Sequence, residues 1–275
     1  MEYYGFRFVK ATSDELKEKI YRLRYKTYVE EFGFLKAEDN PGGLETDIYE
    51  PHSIHFAALD QEDEVVGTIR LVLDSENGFP IEPATGLKVD ERSPREKSAE
   101  ISRLTVSKKM RKRKEDETYG VRTYLEKSKG GVLPNNGSAK KVLRRRRLPA
   151  IILGLCQVMY HESKRLQLTH WYMITEKIIF YTLSKFGFIF KPIGEPVEYH
   201  GLRIPYSAEI DWIEKGLIRE NPVFMKMLLK GLEPQFHPKF GLSGFLRINI
   251  RRNFYSQKAK NCMHGRRVER KKRRR

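Results

Sequence analysis

The sequence lacks the cysteine spacing that metal sites and disulfide frameworks require. It has 275 residues but only two cysteines, Cys156 and Cys262, and these lie far apart. No CxxC pair and no cysteine–histidine cluster occurs, so we expect no structural zinc and no other metal site. Two distant cysteines are typical of a chain that folds under reducing conditions, with a buried structural thiol at Cys156.

Long apolar runs are missing as well. No stretch approaches the roughly 18 consecutive apolar residues that cross a bilayer, so we expect no membrane-spanning helix. The chain starts with MEYYGF and has no basic segment followed by an apolar run, so we expect no signal peptide. We therefore predict a cytoplasmic protein. Hydrophobic residues at 39% and aromatic residues at 11% indicate a folded one.

Acidic residues are few relative to basic ones. The chain has 53 Lys and Arg against 36 Asp and Glu, which gives a formal charge of +17. Much of the excess lies in residues 108–114, 140–147 and 266–275. Such runs favour contact with nucleic acid, an anionic membrane surface or an acidic protein. No recognised nucleic-acid-binding module is present. We therefore prefer the hypothesis that the chain is an enzyme and keep a nucleic-acid-binding protein as the alternative.

Two predicted strands carry charges inside apolar patterns. One strand, residues 99–106 (AEISRLTV), contains Glu100 and Arg103, and the other, residues 65–73 (VVGTIRLVL), contains Arg70. Because burying an unpaired charge is costly, we expect both strands to face one polar site. Residues an odd number apart point to opposite faces of a regular strand. Glu100 and Arg103 can therefore share the site only if their strand carries a β-bulge.

The order of several short motifs resembles a known family. The motifs are Arg24-Tyr25 with Tyr28 and Phe34, ETDIYE at residues 45–50, GTIRL at residues 67–71 and EISRL at residues 100–104. They resemble the acyl-homoserine-lactone synthases and, more closely, the related N-acyl amino acid synthases and the exosortase (PEP-CTERM) system-associated acyltransferases. The likeness to the synthases covers residues 1–110. Residues 145–210, which include YHGLRIPY at residues 199–206, resemble the exosortase-associated group.

The resemblance implies an α/β (α+β) fold of the GNAT type, with three αβα layers around a mixed, mostly antiparallel sheet. We expect this domain over residues 1–232, with an inserted basic loop at residues 108–147. A C-terminal extension at residues 233–265 and a disordered basic tail at residues 266–275 are expected to follow. The tail is a candidate for peripheral contact with the inner face of the membrane.

The implied activity is N-acyl transfer. A long acyl chain would move from a thioester to the amine of an amino acid or a similar small acceptor. The co-substrate would be an acyl-phosphopantetheine thioester, on acyl carrier protein or CoA, and no cofactor would be bound permanently. Acyl carrier proteins are acidic, so this partner fits the basic charge of the chain.

The resemblance and the chemistry of acyl transfer together give the candidate site residues. Glu100 is expected to deprotonate the amine, because burial can raise a carboxyl pKa toward the operating pH. Backbone N–H groups near Ser102 and Arg103 are expected to stabilise the oxyanion. The expected substrate-binding residues are Arg24, Tyr28, Phe34, Asp47, Glu50 and Arg70. The expected carrier-docking residues are Lys112, Arg113, Arg145 and Arg146. The acidic residues at 45–50 either bind a cationic acceptor or orient the three arginines of the site.

The chain also departs from related patterns. After the strand at residues 99–106 it lacks the glycine-rich turn that holds a pyrophosphate at a helix N-terminus, which argues against the alternative of a CoA-dependent acetyltransferase. Phe34 and Glu50 stand where the synthase pattern has tryptophan and aspartate, which argues against S-adenosylmethionine as acceptor. The apolar helix at residues 151–159 is expected to help form an acyl tunnel. The patch at residues 199–203 is a candidate lining of the acceptor pocket.

Overall fold

The computed structural model describes residues 2–3, 5–89, 93–111 and 147–239. These make up most of a compact unit that spans Met1–Phe236; of a second unit, His237–Arg275, only residues 237–239 are described. The predicted carrier-docking residues Lys112, Arg113, Arg145 and Arg146 lie outside the described residues. So do the tail and nearly all of the predicted C-terminal extension, and the domain boundaries stay predictions.

A single sheet forms the centre of the molecule. Its strands in the described ranges are β1 (Glu2–Tyr3), β2 (Phe6–Lys10), β3 (Ser53–Leu59), β4 (Val65–Leu73), β5 (Ser98–Val106), β6 (His170–Thr175), β7 (Lys191–Pro192), β8 (Val197–Glu198) and β9 (Leu202–Glu209). The order is β1-β2-β3-β4-β5-β6-β9-β7, with β8 paired to β9. Every pair is antiparallel except β5 with β6, which is parallel. The predicted mixed, mostly antiparallel sheet is confirmed.

The helices begin and end at residues that favour those positions. They are α1 (Asp14–Tyr25), a π-helical segment (Lys26–Glu31), α2 (Ile81–Thr85), α3 (Arg147–Arg165), α4 (Lys177–Phe186), α5 (Ile210–Glu220) and α6 (Pro222–Leu229). The Ser13 hydroxyl caps α1 by accepting from the Leu16 N–H at 3.3 Å, and the Asn221 side chain caps α6. Gly187, with φ 98°, ends α4 in the left-handed conformation. None of the described helices is both long and apolar enough to cross a membrane.

Alternating residues of the sheet pack against helices on opposite faces. In β3, Phe56 and Ala58 belong to the large core that includes α3, whereas Ala57 and Leu59 pack against α1. The α3 helix lies so close to the sheet that a Cβ at Gly154 would overlap the Phe8 ring. Helices on both faces of one sheet give the three αβα layers that the sequence predicts.

The strands β5 and β6 separate partway along their length. They pair only where Ser98, Ala99 and Glu100 lie opposite residues 170–172. Beyond Glu100, β5 continues to Val106 without a partner in β6 among the described residues. This separation leaves the space that holds the candidate site.

Candidate active site

A β-bulge lies in β5, which is the condition under which Glu100 and Arg103 can share one face. Between Thr68 and Arg70 of β4 the register with β5 shifts by one residue, so that Arg103 and Leu104 together oppose one β4 residue. Arg103 has φ 52°, a left-handed conformation that residues other than glycine rarely adopt. The bulge brings Arg103 to the face of the sheet that carries Glu100, which is the arrangement that a regular strand forbids.

Six charged side chains form a buried network on this face. Its members are Arg24, Arg70, Arg103, Glu45, Asp47 and Glu50. Arg70 donates to Asp47 at 2.7 and 2.9 Å and to Glu50 at 2.8 Å. Arg103 donates to Glu45 and Asp47, both at 3.0 Å, and Arg24 donates to Glu45 and, at 2.7 Å, to Glu50. Three cations balance three carboxylates, so in this structure the acids orient the arginines.

The carboxylates of this six-charge network stay ionised despite their burial. Burial alone would raise the pKa of Glu45, but the charges of Arg24 and Arg103 outweigh it and hold that pKa below its usual value. Burial would also raise the pKa of Glu50. The contact with His55, whose Nε2 lies 2.7 Å from Glu50 Oε2, and the arginine charges outweigh burial and hold that pKa below its usual value. The pKa of the third carboxylate is lowered in the same way. The network is therefore neutral as a whole near neutral pH.

Glu100 lies on the same face but forms no ion pair with any residue in the described ranges. Its side chain is buried, with 1% of its surface exposed, and its Oε2 accepts a hydrogen bond from the Ile81 N–H at 2.7 Å. Burial raises the pKa of Glu100 to about 8, against the opposing effects of that hydrogen bond and of the Arg70 and Arg103 charges. A carboxyl group with this pKa can exchange a proton near neutral pH, which a general base must do.

A cavity of about 580 Å³ lies between β5 and β6. This volume is within the range of about 300–1,000 Å³ that is usual for small-molecule sites. On one side α3 contributes Ile152, Cys156 and Met159, and α4 contributes Ile179, Leu183 and Phe186. Both sets follow the i, i+4, i+7 spacing of a single helix face. The cavity is therefore apolar where the helices line it and polar where β5 does.

Five of the nine catalytic and substrate-binding residues predicted from the sequence line this cavity. They are Tyr28, Phe34, Glu100, Ser102 and Arg103. The other four, Arg24, Asp47, Glu50 and Arg70, lie in the six-charge network and outside the described cavity lining. The network supports the lining directly, because Arg70 Nε donates to Ser102 Oγ at 3.0 Å. Tyr28 reaches the sheet, where its hydroxyl accepts from Thr105 Oγ1 at 2.6 Å.

Aromatic side chains line the polar side of the cavity. Phe34 stacks on Phe32 with ring centroids 5.1 Å apart and on His200 at 5.4 Å. Arg203 Nε donates to the Tyr199 carbonyl at 2.7 Å and its Nη2 to the His200 carbonyl at 3.0 Å. Tyr199, His200 and Arg203 all line the cavity. The patch at residues 199–203 therefore lines the same cavity as Glu100, and its role as the lining of an acceptor pocket stays a prediction.

Some residues of the site were not predicted from the sequence. His55 offered a usable signal, because it is a polar residue within the apolar pattern of β3, as Arg70 is in β4. The α4 residues follow a helical period that is equally typical of an ordinary core, so their role in a cavity had no signal. No sequence signal identifies the Ile81 N–H as part of the site, since every residue except proline offers the same backbone donor.

Within the described ranges, no group of three or more His, Cys, Asp or Glu side chains is placed to hold a metal ion.

Comparison with known proteins agrees with this fold. Residues 23–119 match the family described as acetyltransferase (GNAT) domain. Among solved structures the chain is similar to TofI, determined in a ternary complex with an inhibitor and MTA. The TM-score is 0.54 at 14% identity, over 84% of this chain and 99% of that one. The chain has a GNAT-like fold.

Two further solved structures are similar to the chain. BjaI, a CoA-dependent acyl-homoserine lactone synthase determined with MTA, gives a TM-score of 0.51 at 17% identity, over 89% of this chain and 98% of that one. FeeM, an N-acyl amino acid synthase from uncultured soil microbes, gives 0.50 at 12% identity, over 78% of this chain and 96% of that one. No protein of curated function was found to match the sequence. The family match and the fold support an acyltransferase.

Proposed function

We propose that this protein is an N-acyltransferase that moves a long acyl chain from a phosphopantetheine thioester to the amine of an amino acid or a similar small acceptor. One observation carries the proposal: Glu100, whose pKa burial raises to about 8, lines a cavity whose opposite side is formed by apolar helix faces. The polar side suits an amine and a reacting carbonyl group, and the apolar side suits a hydrocarbon chain.

The proposed reaction uses the polar groups of β5. The amine nitrogen attacks the carbonyl carbon of the thioester, and Glu100 accepts the proton that the amine gives up. The tetrahedral intermediate then collapses, the C–S bond breaks, and the leaving sulfur takes up a proton to depart as a thiol. Backbone N–H groups at the bulge, at Arg103 and Leu104, are the proposed donors to the oxyanion, because regular pairing with β4 is interrupted there.

The apolar side of the cavity is the proposed site of the acyl chain. Each buried methylene group contributes roughly 0.8 kcal/mol, so a cavity lined by the apolar stripes of α3 and α4 favours long chains over short ones. Replacing Leu183, in the middle of the α4 stripe, by tryptophan should shorten the preferred chain. The matched control is Ser184→Trp, which adds the same ring on the exposed side of the same helix. Equal chain-length profiles for the two variants would contradict this placement.

We propose an acidic acyl carrier protein as the donor, with CoA as the competing source because BjaI is CoA-dependent. The proposed docking residues are Lys112, Arg113, Arg145 and Arg146. Reversing all four charges should raise the KM for acylated carrier protein and make turnover less sensitive to salt, while turnover with acyl-CoA stays nearly unchanged. Equal losses with both donors would remove the docking role. Membrane contact by the basic tail and a role in an exosortase system remain predictions from the sequence.

The activity itself is tested with purified protein, acyl-CoA or acylated carrier protein of several chain lengths, and a mixture of amino acids as acceptors. Thiol release measures turnover, and mass spectrometry identifies the N-acyl product. We expect product from the wild type and a loss of about 100-fold or more in folded Glu100→Gln, the usual effect of removing a general base. Wild-type rates in that variant would dismiss Glu100 as the base. The absence of thiol release with every combination would contradict acyl transfer.

A further inference from the structure

We propose that Glu82 and Arg95 are positioning residues for Glu100, which hold the turn at residues 78–82 so that one oxygen of Glu100 is fixed and the other faces the substrate. In this arrangement Oε1 takes the proton from the acceptor amine, and Oε2 stays bound to the Ile81 N–H. The inference rests on the proposed function, because it assigns the orientation of that function's base.

The two oxygens of Glu100 have different surroundings. Oε2 accepts from the Ile81 N–H at 2.7 Å. Oε1 makes no hydrogen bond to any described residue, and Glu100 is part of the cavity lining. A carboxylate held by one oxygen keeps a fixed direction for the other, which proton transfer to a positioned base requires. Oε1 is therefore the oxygen available to an acceptor.

The position of the Ile81 N–H depends on an ion pair outside the cavity. Glu82 Oε2 accepts from the Phe79 N–H at 2.8 Å and from Arg95 Nη2 at 3.0 Å. Its Oε1 accepts from the Val89 N–H at 3.0 Å and from Arg95 Nη1 at 2.8 Å. Arg95 Nε also donates to Asp74 Oδ1 at 3.0 Å. Arg95 lies five residues before Glu100 in the chain. Its guanidinium group links Asp74, just after β4, to Glu82 in the turn that carries the Ile81 N–H.

Two features of the turn show that this clamp of Glu82 and Arg95 fits closely. Gly78 has φ 65°, and a Cβ at that position would overlap Glu82 Oε2. The Arg95 guanidinium lies 5.1 Å from the centre of the Phe79 ring, and Phe79 is fully buried beside Tyr172. Movement of Arg95 would therefore release both the carboxylate and the buried ring that fix the turn on either side of Ile81.

The contact between the clamped turn and Glu100 is the hydrogen bond from the Ile81 N–H. The charged and titratable groups that face Glu100 are Arg70 from β4, Arg103 from β5, Asp47 and Tyr49 from the segment before β3, and Tyr172 from β6. Neither Glu82 nor Arg95 is among the groups with the largest effects on the pKa of Glu100. Loss of the clamp leaves those charges in place and removes a hydrogen bond to the ionised form. The pKa of Glu100 should then rise by about one unit.

The test compares Arg95→Met and Arg95→Lys with the wild type. Arg219→Met, which removes an exposed arginine paired with Glu220, is the matched control. Circular dichroism confirms folding, and the pH dependence of kcat/KM is measured across the neutral and alkaline range. We expect Arg95→Met to lose about tenfold in kcat/KM near neutral pH and to recover at high pH, with Arg95→Lys in between. A loss that is equal at every pH, or an unchanged profile, overturns the proposal, because a merely structural role would not move the profile.

A second measurement does not depend on activity. Infrared titration of the carboxyl C=O band of Glu100, identified by subtraction of the Glu100→Gln spectrum, reports its pKa in each full-length variant. A pKa that does not move in Arg95→Met overturns the positioning role. A pKa that moves in a protein without acyl transfer supports the positioning of Glu100 and contradicts the proposed function. The two hypotheses therefore fail separately.

Discussion

Replacing Glu100 by glutamine should stabilise the fold, and by more as the pH rises. Burial raises the pKa of this carboxyl group from 4.5 to about 8 in the folded chain, whereas in the unfolded chain it titrates near its ordinary value. Because the folded-state pKa is the higher one, the wild type keeps its full stability below pH 4.5. Ionisation of the buried carboxyl group then lowers the stability of the wild type progressively as the pH rises from 4.5 to about 8.

The size of the effect follows from the shift in the pKa of Glu100. A difference of about 3.5 units, from 4.5 to about 8, corresponds to up to about 5 kcal/mol above pH 8 and about 3 kcal/mol at pH 7. The side chain is only 1% exposed, so solvent screening reduces the figure little. Glutamine keeps the hydrogen bond from the Ile81 N–H through its own carbonyl oxygen. The difference between the two proteins therefore isolates the cost of the buried charge.

The assay is urea unfolding of the wild type and Glu100→Gln at pH 5, 7 and 9, with the difference in the free energy of unfolding taken at each pH. The acids of the six-charge network have lowered pKa values and change the stability of both proteins equally on the acid side, so their effect cancels. We expect a small difference at pH 5 that grows to several kcal/mol at pH 9. A difference that stays constant from pH 5 to pH 9 would show that the charge of Glu100 is compensated, and the reasoning about the base would fail.

Two further predictions concern other buried groups. Arg70→Ala leaves its carboxylate partners unpaired and should lower the free energy of unfolding by about 3–5 kcal/mol, whereas Arg219→Ala at an exposed ion pair should cost less than about 1 kcal/mol. Similar losses in urea unfolding would contradict the importance of the network. Burial raises the pKa of Cys156 from 9.0 to about 12, so in a Cys262→Ala background maleimide should label the folded chain about a thousandfold more slowly than the unfolded chain. Rapid labelling of the folded chain would contradict that pKa.

Residues that break a local pattern were the ones whose role could be predicted from the sequence. Arg70 and Glu100 are charged residues inside apolar strands, and the cost of burying them predicts a shared polar site before any contact is known. The odd separation of Glu100 and Arg103 makes a shared face conditional on a β-bulge, and whether the bulge forms could not be predicted from the sequence. The structure contains this bulge, at the register shift between β4 and β5 where Arg103 has φ 52°.

The partners of those residues could not be predicted with the same certainty. Glu45 pairs with Arg24 and with Arg103, 58 positions along the chain, and no local period connects them. Residues 75–97 are interrupted by proline and glycine, so their pattern predicts an irregular segment. Such a pattern gives no signal for the ion pair between Glu82 and Arg95. A carboxylate set near three arginines was predicted, but whether it binds a substrate or orients the arginines depends on distances that only the folded chain fixes.

The neutrality of the six-charge network helps to explain why the pKa of Glu100, a further carboxyl group beside it, stays raised. If the network carried a spare positive charge, Glu100 would be paired, its pKa would fall below the operating pH, and the fold would gain stability at the expense of basicity. If the Ile81 N–H were displaced, the carboxylate would lose a hydrogen bond and the pKa would rise above the operating pH. The observed arrangement lies between these limits, because the three arginines are ion-paired with the three acids and a single backbone donor contacts Glu100. The same burial that makes the charge of Glu100 costly to the fold therefore gives this carboxyl group the raised pKa that its proposed role as a base requires.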